Sequence, residues 1–150
     1  MKTIIGLLLL TNLAYAGELR KIAVKHGYAP KQQALNAIRV AAKVYNLNAK
    51  ELLAIALVET GAKQSVVHKN LNGTLDVGLF QINTVNWGAC SEFNIWQVEG
   101  NALCAAKLLA SLKHRFPKTY LERYHSHTIS KRNIYAKRLE KFLEVGQNKH

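Results

Sequence analysis

The sequence predicts a mainly α-helical domain of the α+β class, in which helices carry most of the chain and one small β element interrupts them. Two patterns predict this. Apolar residues recur at helical spacing along most of the chain, and residues 66–80 break that rhythm around an Asn72-Gly73 turn signal. The length sets the scale: 150 residues are enough for one core and one domain.

Each element has its own signal. Gly17 to His26 reads as a short first helix, stopped near Gly27. After Pro30, Ala34, Leu35, Ile38, Ala41, Ala42 and Tyr45 form a helical stripe. Asn48-Ala49-Lys50-Glu51 reads as a variant capping box. The helix it opens runs to about Thr60, and Gly61 is a natural stop. Thr74-Leu75-Asp76-Val77 alternates polar and apolar after the Asn-Gly turn, which predicts a small hairpin or irregular β lobe. Asn83 is placed to cap a short helix reaching Trp87. Ala102, Ala105, Ala106, Leu109, Leu112 and Phe116 mark a long helix ending at Pro117. A short helix over Tyr120 to Tyr124 follows. Ser130 then caps a last helix bearing Ile134, Tyr135, Arg138, Leu139 and Phe142, and Gly146 to His150 reads as a frayed tail.

The first segment looks like an address rather than part of the fold. Met1-Lys2, the apolar stretch Ile4 to Leu13, and Ala14-Tyr15-Ala16 have the layout of a signal peptide cleaved after Ala16. The expectation is an exported, periplasmic domain over 17–150 with no stable membrane anchor. The formal net charge of +12 implies an acidic partner or surface, or simply a well-solvated basic face. Export and the lack of any nucleic-acid motif argue against nucleic acid, and an anionic cell envelope fits better. Cys90 and Cys104 either bridge or remain buried thiols, and an oxidising compartment favours the bridge.

Glu59 is the chemically informative residue. It closes the apolar run Leu52-Leu53-Ala54-Ile55-Ala56-Leu57-Val58 and precedes Thr60-Gly61. Apolar surroundings disfavour the charged form of a carboxyl group, and the negative end of a helix acts in the same direction. The outcome is a general acid able to work near neutral pH. Nineteen residues on, Gly78-Leu79-Phe80-Gln81-Ile82-Asn83 supplies a polar strip.

These landmarks, taken in order, carry a resemblance. Glu59-Thr60-Gly61, Asp76 through Asn83, Cys90 with Cys104, Asn101-Ala102 and Tyr124-His125-Ser126 resemble the small single-domain lytic transglycosylases of the lysozyme-like superfamily. Relatives of that kind accompany secretion, conjugation and pilus machines. The resemblance implies a helical lobe and a smaller lobe with a glycan-binding groove between them. Peptidoglycan glycan strands are the implied substrate, and components of such a machine the implied partners. Cleavage falls between N-acetylmuramic acid and N-acetylglucosamine and leaves a 1,6-anhydro sugar, without cofactor or metal.

By the same resemblance, Glu59 is the catalytic acid and then base, while Gln81, Asn83 and Tyr124 bind the sugar. The chain departs from the family's Tyr-Asn motif at His125, and His127 stands near where a Gly is often found. Asp76 lies 17 residues after Glu59 and is the candidate second carboxylate. It would serve a lysozyme-like muramidase that hydrolyses the bond, or it braces the β element through turn hydrogen bonds. A non-catalytic wall-binding or assembly factor is the reading from another class. His114, His125 and His127 lack an established metal-ligand spacing. Trp87 and Trp96 stay unassigned between sugar stacking and core packing.

Overall fold

The central element is a helix that is apolar on every side. In the computed structural model, which describes residues 17–126 and 128–143, this helix is α3, Ala49–Thr60. Leu52 through Leu57 are all buried, as a helix without a polar face must be. Around it lie α1 (residues 17–25), α2 (Gln32–Val44), α4 (Val98–Arg115), α5 (Tyr120–Arg123) and α6 (Ile129–Leu143). Helix α2 packs on α3 and α4, and α6 packs on α3. The expected signal segment, His127 and the tail from Gly146 lie outside the described residues.

Asn48 caps α3 as expected, its Oδ1 accepting from the Lys50 N–H at 2.9 Å. The Glu51 carboxyl lies beside the Tyr120 hydroxyl, whose pKa it helps to raise. At the other end Gly61 adopts a left-handed conformation with φ of 66°. Gly61 N–H donates to Leu57 O and Ala62 N–H to Ala56 O, both at 3.0 Å, which closes the helix with a left-handed αL end. The chain therefore turns sharply just after Glu59.

The β element is larger than a hairpin. Strands β1 (Val67–Lys69), β2 (Leu75–Val77) and β3 (Ile82–Asn83) form an antiparallel sheet in that order. Asp76 pairs with His68 on one side and Asn83 on the other. The Asn83 side chain caps a 3-10 turn at Thr84–Asn86, and a second such turn spans Gly88–Cys90. Cys90 and Cys104 are disulfide-bonded, tying that turn to α4. The free-thiol alternative is thereby excluded, and closing a loop of this length stabilises the fold by roughly 3 kcal/mol.

Two helix starts and one burial differ from expectation. Helix α4 starts at Val98, so Asn101 lies within it rather than opening it. Helix α6 starts at Ile129, with Arg132 N–H bonded to Thr128 O at 3.0 Å, so Ser130 is inside the first turn rather than the cap. On the same helix Tyr135, Leu139 and Phe142 face the core, whereas Ile134 is exposed. Among the described residues no helix is long and apolar enough to cross a membrane.

Candidate active site

Glu59 occupies the last turn of α3, where the core helix meets a groove of about 1070 Å³ running along the β sheet. Its side chain is 14% exposed. Burial raises its pKa from 4.5 to about 7, and the charge of Asp76 adds to the rise. A hydrogen bond from Tyr135 and the charge of Arg138 pull the other way. The carboxyl group is therefore substantially protonated in neutral solution while it lines an open groove, which is the condition a general acid needs.

Tyr135 is the partner that sequence reasoning missed. Its hydroxyl donates to Glu59 Oε1 at 2.7 Å from the buried face of α6. Helical periodicity counted it only as an apolar position. The available signal was chemical, since a buried Tyr hydroxyl needs a partner. The Tyr135 ring in turn stacks on His125, with centroids 4.8 Å apart and planes 5° from parallel. His125 Nδ1 stands 3.9 Å from the same Glu59 oxygen. Burial, then Arg138 and Lys131, hold the His125 pKa below its ordinary value. Both shifts disfavour the charged forms, and so weaken any ion pair between the two groups.

Across the groove, Asp76 is held at both oxygens. Asn70 Nδ2 donates to Oδ2 at 2.9 Å and Asn83 Nδ2 to Oδ1 at 2.6 Å. Asn83 is itself committed: Nδ2 also reaches Thr74 Oγ1 at 3.2 Å, and Oδ1 accepts from Val85 N–H at 3.0 Å. Both Gln81 amide hydrogens are likewise in use, bonded to Val66 O at 3.1 Å and Gly78 O at 2.9 Å. Its Oε1 is the atom left to meet a ligand. Tyr124 lines the groove too, and its hydroxyl donates to Phe80 O at 3.1 Å. The structure thus brings Glu59, Asp76, Gln81, Asn83 and Tyr124 to one groove, with His125 beside them. Trp87 and Trp96 pack edge to face outside that lining. No group of three or more metal-ligating side chains is gathered among the described residues.

The strip Gly78-Leu79-Phe80-Gln81 is fixed from behind. Asn101 on α4 is the one charged or polar side chain buried among the described residues, at 1% exposure. Its Oδ1 accepts from Phe80 N–H at 2.9 Å, and its Nδ2 donates to Val77 O at 2.8 Å and Ile95 O at 2.9 Å. Thr60 Oγ1 donates to Leu79 O at 2.9 Å, so the residue after Glu59 grips the same strip. The carboxyl group and the polar wall facing it are therefore positioned by one connected set of bonds.

A comparison with curated proteins returns no match. A family model does match, over residues 36–134, a span that begins in α2, includes Glu59 and the whole sheet, and ends one residue short of Tyr135. That model describes the transglycosylase SLT domain. The mostly helical fold with its small antiparallel sheet agrees with it, and this chain belongs to that family of lysozyme-like, peptidoglycan-acting transglycosylase domains.

Proposed function

We propose that the protein is an exported peptidoglycan lytic transglycosylase in which Glu59 alone carries the proton chemistry. The observation behind this reading is one buried carboxyl group in the groove, its pKa raised to about 7, facing an Asp76 whose two oxygens are already bonded to amides. Glu59 Oε1 is held by Tyr135, which leaves Oε2 for the transferred proton. In the first step Glu59 gives its proton to the glycosidic oxygen. The bond from that oxygen to the muramic acid anomeric carbon breaks, its electrons stay on the oxygen, and the sugar's N-acetyl carbonyl supports the positive centre. In the second step ionised Glu59 takes the proton of the C6 hydroxyl while that oxygen bonds to the anomeric carbon. The carboxyl group ends as it began and no water is consumed. Gln81 through Oε1 and Tyr124 through its hydroxyl oxygen orient the sugar, and Asn83 acts by holding Asp76. In this reading 1–16 is a cleaved leader, 17–150 is the mature domain, and the periplasmic enzyme opens gaps for an envelope-spanning secretion, conjugation or pilus machine.

Mass analysis of a peptidoglycan digest is the test. Anhydro ends, lighter by one water than hydrolysed ends, are expected. Free reducing ends would assign the reaction to hydrolysis with Asp76 as the second carboxylate.

The pH dependence follows from the same carboxyl group. Glu59 must be protonated at the start, so the rate should hold up to about pH 7 and fall roughly tenfold per pH unit above it. Tyr135→Phe removes a bond that favours the ionised form, so the falling limb should move to higher pH. A limb that stays in place in the Phe variant would show that Tyr135 does not tune Glu59.

A further inference from the structure

The groove carries two arginines that the chemistry above does not use. Arg115 ends α4 and Arg123 ends α5, and both line the groove that holds Glu59. They share one aromatic support, the Phe116 ring, whose centroid lies 5.2 Å from the Arg115 guanidinium carbon and 3.9 Å from that of Arg123. Arg123 Nε also donates to Thr119 Oγ1 at 2.9 Å. Its guanidinium is therefore held in place, with Nη1 and Nη2 bonded to none of the described residues, so little ordering remains to be done on binding. Among the described residues neither arginine has an acidic partner.

Two guanidinium groups resting on one ring are poorly matched to neutral sugar. Hydroxyl and N-acetyl groups carry no charge, and a planar fork of N–H donors fits a carboxylate at both of its oxygens. On a glycan strand the negative charge lies in the acidic groups borne by muramic acid, chiefly the carboxylates of its peptide stem. We propose that Arg115 and Arg123 form a carboxylate-binding subsite in the groove that takes an ionised carboxyl group of that stem, an assignment that rests on peptidoglycan being the substrate. The enzyme then reads the stem as well as the sugar, and prefers strands whose stems keep their charge.

Binding to inactive Glu59→Gln protein tests this without turnover. The probes are a soluble peptide-bearing tetrasaccharide fragment of peptidoglycan and the same fragment with its carboxyl groups converted to amides. The native fragment should bind about tenfold tighter, the scale of one charge-assisted bidentate contact. Adding Arg123→Gln should close that gap, and Arg123→Lys, which keeps the charge but loses the fork, should close it in part. Equal binding of the two fragments, or a gap that survives Arg123→Gln, overturns the subsite. Failure of the enzymatic reading shows separately, as a wild-type digest without anhydro ends. A tighter response to inorganic phosphate than to the native fragment would also overturn the assignment, in favour of a phosphate-bearing polymer.

Discussion

Glu59→Gln is expected to abolish glycan cleavage and, at pH 8, to leave a more stable protein than the wild type. The loss of activity should be on the order of 1000-fold or more, because the amide cannot give up a proton in the first step or take one in the second. The gain in stability comes from burial. Glu59 titrates at about 7 in the folded chain against 4.5 for the free side chain. The folded state therefore holds the proton more tightly than the unfolded state does. This carboxyl group costs the fold nothing below about pH 4.5, and its penalty grows as pH rises toward 7 and then levels off. A gap of that size corresponds to about 3 kcal/mol at pH 8. Glutamine is neutral at every pH and keeps an oxygen to accept from Tyr135. Thermal unfolding of both proteins at pH 4 and pH 8 measures the difference, which should appear only at the higher pH. Equal stabilities at both would mean that Glu59 is not desolvated. Full cleavage by the variant would remove Glu59 from the chemistry. A wild type as inactive as the variant, yet equally competent in machine assembly, would favour the non-catalytic reading.

Much of this site was legible because its signals are local in sequence. Asn48, Gly61 and the apolar run between them specify both the helix that carries Glu59 and its burial, and burial is the main cause of the raised pKa. The Asn72-Gly73 turn specified β1 and β2 in the same way. What escaped notice depends on distant partners. Strand β3 has two residues, too few to show alternation, and exists because Ile82 and Asn83 pair with β2. Tyr135 meets Glu59 across a separation of 76 residues, so no spacing rule links them. Gln81 and Asn83 drew attention as polar residues facing sugar. Their amides are largely engaged with Val66, Gly78, Thr74 and Asp76, and the wall is stiff for that reason. Asn101 was visible as the start of a helix, whereas its role is to satisfy buried backbone groups from inside one.

Asn101→Ala should be the most destabilising of the changes considered, at about 3 to 5 kcal/mol. The substitution strands one buried N–H and two buried carbonyls, each costing on the order of 1–3 kcal/mol, with some relief from local relaxation. Asn101→Asp should fare no better. It keeps the acceptor for Phe80 N–H but turns a second oxygen toward Val77 O and Ile95 O, in a place where a charge has no partner. Either change should also lower cleavage, since Phe80 O is the acceptor for Tyr124 and Gln81 follows it directly. Urea unfolding gives the free energies, and a double-mutant cycle with Gly78→Ala adds a sharper test. A Cβ at Gly78 would sit 2.5 Å from Asn101 Nδ2, and the φ of 77° strains any L side chain there. Shortening Asn101 to Ala removes the collision but not the backbone strain. The double variant should therefore lose less than the two single losses added together. Strict additivity would mean that Gly78 is required for its backbone conformation alone, and that the close approach of α4 to the polar strip does not set the shape of the groove.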